Sequence, residues 1–346
     1  MPDTIKTTPL APDCVGNAPA NYKATLVITT HNRKDDLLNA IASAVNQTAP
    51  LEIIVLDDAS TDGTALAVRE KFPQVRLFVS EDREGYIRLR NRGAYLARAP
   101  IIFSIDDDAI FATNRIVEQV LRDFEHPRVG AVAIPFIDVR VSEEVRQRAP
   151  ASGEPYVSAH FIGTAHAIRR DVFFEVGQYR EFFEHQCEEP DFCRRMLGHG
   201  YVVKLGSSDV IHHFYSPKRD LRRLHYYHTR NNILLTWCTV PWPAVLWRLS
   251  RSILGNSVLA AWGSDRLSRF RGLAAGVNGI WRFRGQRTPI PQPCYRLLRM
   301  LVERPRRLSE VAHLLPALPS TKGREYLAAA SRMGTPPAPP THDKTC

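Results

Sequence analysis

Four short apolar runs, each followed by a stretch with helical spacing, constrain this chain more than any other feature. They are ATLVITT (24–30), LEIIVLDD (51–58), VRLFVS (75–80) and PIIFSIDDD (100–108). The runs are continuously apolar instead of alternating, as strands covered on both faces are. Between them, residues 34–46 carry Leu37, Leu38, Ile41 and Val45 at helical spacing, and 63–72 and 87–97 read as further helices. This order builds a mostly parallel, Rossmann-like α/β sheet with right-handed crossovers, whose ligands sit at the C-terminal ends of the strands. The pattern continues with a helix over 113–125, a strand over 129–136 and a helix from about residue 189 to 200. A strand over 201–205 and an extended segment over 209–216 complete it.

Charge divides the chain in the same place. From Tyr215 to Cys346 there are 22 Lys and Arg against 6 Asp and Glu, leaving 24 against 30 in residues 1–214. An acidic front and a basic back third point to two jobs, the second directed at something anionic. The expected organisation is a loose tail over 1–22, an α/β unit over 23–216, a basic helical extension over 217–333 and a second tail over 334–346. Six scattered cysteines without a CxxC pair, and a start without an apolar stretch behind basic residues, predict a reducing, cytoplasmic setting. Residues 233–247 lack formal charge, but Arg248 and Arg251 follow, and a spanning helix needs about 20 apolar residues. Trp237, Trp242, Trp247 and Trp262 among arginines suit the headgroup region of an anionic membrane at its inner face, or else an ordinary helical cap. No nucleic-acid module is recognised, so nucleic acid is not an expected partner.

The strand ends carry the chemistry. The first ends in Thr30, His31, Asn32 and Arg33, without the GxGxxG of a dinucleotide site. The second ends in Asp57 and Asp58, which suit a base or ribose contact, while Ser60 and Asp62 suit a turn into the next helix. The fourth ends in Asp106, Asp107 and Asp108. Three adjacent carboxylates leaving a buried strand need compensation, which a hard divalent cation or nearby arginines such as Arg88 and Arg90 would supply. Alternation along an extended strand would put Asp106 and Asp108 on one side. Farther on, Glu188, Glu189 and Asp191 open a helix. That placement suits the helix dipole, and it also suits a general base.

In order, TTHNR (29–33), LDDASTDGT (56–64), RLRNRGAYLA (88–97), IDDDAIF (105–111), GTAHAIRRDVFFEVGQY (163–179), EEPDFCRR (188–195), HGYVV (199–203) and IHH (211–213) resemble the inverting family-two nucleotide-sugar glycosyltransferases. A weaker trace lies in HYYHTRNN (225–232). The resemblance implies a glycosyltransferase A-type fold, a nucleotide-sugar donor and a saccharide or lipid-linked acceptor of the kind used in cell-envelope polysaccharide synthesis. It implies that Thr30, Asn32, Arg33, Asp57 or Asp58, Arg90 and Asn91 flank the nucleotide. Asp106 and Asp108 match the DXD motif, the first toward the ribose and the second on Mn²⁺ or Mg²⁺, with His212 completing the metal site. Glu188-Glu189 matches a Glu-Asp pair whose second member is the base, so Glu189 is the expected base, with Asp191 the alternative. Glu stands where Asp is commoner, and His166 stands where a small residue is usual; it would touch the acceptor or fill space.

Three other readings are weaker on the residues. A glycoside hydrolase needs no metal–diphosphate platform. A nucleotidyltransferase would carry a glycine-rich loop after the first strand, which TTHNRKDD is not. A binding protein would be expected to have lost a metal acid or the base. His185, Cys187, Cys193 and His199 lie close in sequence, but their spacing departs from structural zinc patterns.

Overall fold

The computed structural model describes residues 21–215, 220–262 and 265–318. Most of the tail over 1–22 and all of the tail over 334–346 lie outside the described residues. Three parallel strands form as the apolar runs require: β1 (Ala24–Thr30), β2 (Leu51–Asp57) and β3 (Arg76–Val79). They alternate with α1 (Lys34–Val45), α2 (Thr64–Lys71) and α3 (Tyr86–Leu96), and β4 (Ile101–Ile105) pairs with β1 on its other side. A short β5 (Ala109–Phe111) and α4 (Ile116–Arg122) precede β6 (Val129–Ala133). The single strand expected over 129–136 is two: Pro135 offers no amide to a ladder, and β7 (Phe136–Asp138) begins after it.

The chain then adds β8 (Tyr156–Ser158), β9 (Ala165–Arg169), α5 (Arg170–Glu175), α6 (Glu188–Gly198), β10 (Val202–Leu205) and β11 (Ile211–His213). The helical third comprises α7 (Leu221–Thr239), α8 (Ala244–Trp262), α9 (Arg266–Arg282), α10 (Gln292–Glu303) and α11 (Leu308–Val311), with a two-residue β12 (Arg306–Arg307) before the last. The main sheet runs β12-β8-β10-β6-β9-β4-β1-β2-β3, and β5-β11-β7 makes a second, three-stranded sheet. β9 runs antiparallel between β4 and β6, so the sheet is mixed across its middle and parallel from β4 to β3.

Alternation along β1 sends Leu26 and Ile28 into one apolar layer with Leu37 and Ile41 of α1, and Val27 into the other with Ile87 and Leu89 of α3. Cys294, Leu297, Leu298 and Leu301 of α10 are buried in the first of these layers, and β12 pairs with β8. The basic third is thus packed into the same core and extends the same sheet.

Candidate active site

β4 stops at Ile105, and the three acids that follow form a turn closed by the Ala109 amide donating to the Asp106 carbonyl at 3.1 Å. Turn geometry replaces the expected strand alternation. Asp107 is consumed locally: it accepts from Thr30 Oγ1 at 2.8 Å and from Arg33 at 3.0 Å. Burial, with Asp108 and Asp106 adjoining, pushes its carboxyl up to about 7 despite Arg33 and Thr30. Asp106 stays partly exposed, while Asp108 is buried and paired with Arg33 at 2.5 Å.

The histidine that joins Asp106 and Asp108 is His213, and the expectation for His212 is corrected here. β11 pairs with β5 so that His213 lies opposite Ala109, and the Phe214 amide donates to the Asp108 carbonyl at 2.8 Å. Neighbouring residues of a strand face opposite sides, so this register turns His212 away. His213 Nε2 stands 3.3 Å from Asp108, and Nδ1 hydrogen-bonds Asp138, which also accepts from Arg146 at 3.0 Å. Burial alone would lower His213; the bonds to Asp108 and Asp138 outweigh it and raise the imidazole to about 8. One ligand atom from each of Asp106, Asp108 and His213 lies within 4.8 Å of the others, the one such cluster among the described residues. The donor set fits a hard divalent cation: two carboxylates suit Mg²⁺ or Mn²⁺, and a neutral imidazole can complete the set. Asp138, outside every motif, holds the imidazole as a carboxylate behind a metal-binding histidine would. The His185, Cys187, Cys193 and His199 set is not gathered into a metal cluster.

Arg90 is the hub. It projects from α3, is buried, and lies over the Tyr86 ring with 5.0 Å to the centroid. It donates to Asp106 at 2.8 Å and to the Gly163 carbonyl at 3.3 Å, and it reaches Glu189 at 3.4 Å and Glu188 at 3.7 Å. One guanidinium therefore links the acidic turn to the carboxylates that open α6. Glu189 lies so close to Gly163 that a β-carbon there would meet its Oε1 at 2.1 Å, so any side chain at that position would displace the Glu189 carboxylate. Glu188 is fully buried, with neither oxygen meeting a donor in good geometry. Burial, with Glu189 adjacent, raises its carboxyl well above the usual range and outweighs Arg90. Asp191, the alternative base, is held away from the site between Arg180 at 3.0 Å and Arg195 at 2.8 Å, fully buried.

The remaining expected residues hold loops. Asn32, at φ 53°, accepts from the Thr61 amide at 2.8 Å while its own amide donates to Ser60 Oγ at 2.9 Å, tying the ends of β1 and β2. Asp57 accepts from the Ser60 amide at 2.9 Å and keeps Oδ2 buried without a partner. Asp58 accepts from the Glu84 amide at 2.7 Å, and a cleft of about 360 Å³ opens beside it toward Arg88, Glu181, Glu184 and Arg223. Asn91 is a strut that exchanges two hydrogen bonds with the Tyr179 backbone, at 2.9 and 3.1 Å. His166 fills space: it is buried, stacked on Phe161, and bonded to Tyr179 Oη at 3.0 Å.

Sequence reasoning missed Arg230 and Asn231 of α7. Asn231 Nδ2 donates to the carbonyls of Phe183 (2.9 Å), His185 (2.7 Å) and Gln186 (3.1 Å), and Arg230 donates to that of Phe182 at 2.8 Å. They fix a segment with positive φ at Glu184, Gln186 and Cys187 that delivers Glu188 and Glu189. The weak trace at 225–232 was the signal that could have found them.

Acids and a histidine at strand ends of a mixed α/β sheet are thus joined by one arginine to a second carboxylate pair. Residues 25–183 match the family described as Glycosyl transferase family 2. Over those residues, a little under half of its length, the chain resembles family-2 glycosyltransferases, and its fold is of the glycosyltransferase A type. It is 37% identical over 123 residues to polypeptide N-acetylgalactosaminyltransferase 4 of Caenorhabditis elegans, covering 33% of this chain and 20% of that one. It is 27% identical over 101 residues to the succinoglycan biosynthesis protein ExoU of Rhizobium meliloti, covering 28% of this chain and 30% of that one. The matches thus span a fifth to a third of these relatives. In fold it resembles the mannosyltransferase PcManGT of Pyrobaculum calidifontis in complex with GDP-Man and Mn²⁺, with TM-score 0.52, 19% identity, and 91% and 88% of the two chains covered. It also resembles S. aureus TarS 1-349 in complex with UDP, with TM-score 0.52, 14% identity, and 90% and 92% covered.

Proposed function

We propose that this protein is an enzyme that transfers a sugar from a nucleoside-diphosphate donor to a hydroxyl of a saccharide or lipid-linked saccharide, by one inverting displacement. The observation that carries the reading is the bridge Asp106–Arg90–Glu189, which joins a cation-type cluster to a partly open carboxylate. Mn²⁺ or Mg²⁺ held by Asp106, Asp108 and His213 would supply positive charge for a departing diphosphate. Arg90 adds fixed charge between the two halves of the site, where charge separates as the donor bond breaks. Glu189 takes the proton of the attacking hydroxyl, while burial favours the neutral form of Glu188 beside it. Asp191 and Asn91 act at one remove, by bracing α6 and the 179–181 segment. Thr30, Asn32, Arg33, Asp57 and Asp58 shape the donor side through the loops they hold. Glycolipid or polysaccharide synthesis for the cell envelope, at the cytoplasmic face of a membrane, fits such an acceptor.

The test is a panel of UDP-, GDP- and dTDP-sugars with Mn²⁺ or Mg²⁺, reading release of the nucleoside diphosphate and the anomeric configuration of any product. Metal-dependent release from one donor, lost in Asp108→Ala and in Glu189→Gln, with inversion at the anomeric carbon, is expected. Thermal stabilisation by no nucleotide in the presence of metal would overturn the reading.

A further inference from the structure

The helical third wears its apolar side chains outward. Of α8, the buried residues are Val245, Asn256 and Ala260, while Leu246, Trp247, Leu254, Val258, Leu259 and Trp262 are exposed. Of α9, the buried residues are the three glycines Gly272, Gly276 and Gly279. These meet Tyr226, Arg230 and Leu234 of α7 so closely that a β-carbon would fall within 2.5–3.1 Å of an atom of each. Leu267, Phe270, Val277 and Trp281 then occupy one outer stripe of α9 at three-, seven- and four-residue steps. Trp247, Trp262 and Trp281 are 68%, 84% and 71% exposed. In water a helix pair would put these rings and chains inside. Small residues at the helix–helix contact and large apolar ones outside are the arrangement found where the surroundings are themselves apolar.

Charge says which surroundings. Residues 242–287 hold eight arginines and one acid, Asp265. Arg251 lies on the outer face of α8, and Arg266, Arg271 and Arg282 border the stripe of α9, all exposed. Arginine stems lie along apolar surface while their heads reach outward, and tryptophan favours the same depth. No described helix is long and apolar enough to cross a membrane.

We propose that the outer faces of α8 and α9 form a docking surface that lies in the headgroup region of an anionic lipid bilayer, with Trp247, Trp262 and Trp281 inserted and the flanking arginines on lipid phosphates. The purpose, presenting a lipid-linked acceptor, rests on the transferase reading; the docking itself does not. α7 lies between this surface and the site: Gly272, Gly276 and Gly279 pack on it, and its Arg230 and Asn231 hold the 182–186 carbonyls.

The test is flotation of the full chain with vesicles of phosphatidylcholine alone and of an equal mixture with phosphatidylglycerol, alongside nucleoside diphosphate release from a soluble donor. Flotation with the anionic vesicles, weakened by salt and accompanied by a blue shift of tryptophan emission, is expected. Removing one arginine (Arg251→Gln, Arg271→Gln or Arg282→Gln) should lower partitioning roughly fivefold, and all three roughly a hundredfold. The Trp247→Gln/Trp281→Gln pair should lower it by on the order of tenfold or more while donor turnover is kept. Protein left at the bottom with both vesicles, or equal binding to neutral ones, overturns the proposal. So does light scattering that shows a dimer lost in the tryptophan pair without any flotation, since a second copy then covers the face. Flotation by a protein that neither turns over a donor nor is stabilised by any nucleotide with metal would fail the transferase reading and leave the docking surface standing.

Discussion

Glu188 and Glu189 are adjacent carboxylates with opposite surroundings, and their difference is the sharpest claim at the scale of single residues. Glu189 has a partly open side chain against Arg90; Glu188 is sealed, meets Arg90 at 3.7 Å and has neither oxygen hydrogen-bonded. Glu189→Gln should therefore cost kcat roughly 10²–10⁴-fold, the usual worth of a general base, while Glu188→Gln, which copies a protonated carboxyl, keeps most of it. Steady-state kinetics of the two variants decides this, and equal losses would refute the assignment. The same asymmetry reaches stability. A carboxyl whose folded pKa is raised contributes stability that is complete below its unfolded value, about 4.3, and is lost as pH rises toward the folded value. Glu188→Gln removes that loss, so its Tm should equal the parent's in acid and exceed it at neutral pH and above. Thermal melts across that range check the sign. The metal cluster makes a third claim. Asp138→Asn should weaken activation by Mn²⁺ about 10–100-fold by freeing the His213 ring, with His213→Ala weaker still and His212→Ala unchanged. Activity titrated against Mn²⁺ separates the three.

At the scale of elements, what could be read from the residues was what local pattern determines. Apolar runs without alternation gave β1, β2, β3 and β4, and motif order gave Asp106, Asp108 and the carboxylates opening α6. What escaped depended on register and on distant partners. Whether His212 or His213 faces the acids is decided by how β11 lies against β5, and two adjacent histidines carry no sign of it. Asp138 reaches His213 across 75 positions, from a strand that exists separately because Pro135 interrupts the run. Arg230 and Asn231 act on backbone carbonyls, a role that leaves no residue type to look for at the other end. That role is testable. Asn231 is fully buried, and Asn231→Ala takes their side-chain donor from the carbonyls of His185 and Gln186, while that of Phe183 keeps the His185 amide and Arg230. A destabilisation of about 1–3 kcal/mol is expected by urea unfolding. Because the segment delivers Glu189 and not the acidic turn, kcat should fall with little change in donor KM; a purely structural role would leave kcat of the folded fraction intact.

Across the whole molecule, the change in charge near Tyr215 suggests a seam, yet the packing runs straight through it. α10 packs against β8 and α6 in the apolar layer that Leu26 and Ile28 of β1 also enter, β12 extends the main sheet beyond β8, and α7 holds the segment that carries the α6 carboxylates. The charge boundary thus marks a change in what the surface faces and not in what holds the chain together. An unusual distribution of probes makes this measurable, because all five tryptophans lie between Trp237 and Trp281. Tryptophan emission reports the helical third alone, whereas far-ultraviolet circular dichroism reports every helix and strand. If the core is shared, the two signals should lose native character at one denaturant midpoint, the behaviour of a single cooperative unit. A chain ending after Tyr215 would lose Cys294, Leu297, Leu298 and Leu301 from the core. It would bare the edge of β8 and release the 182–186 carbonyls, so it should not accumulate as a soluble folded domain. If emission changed first and dichroism later, the helices would be unfolding on their own. The charge seam would then be a folding seam as well, and the carboxylate pair would depend on a structure that can leave without taking the sheet with it.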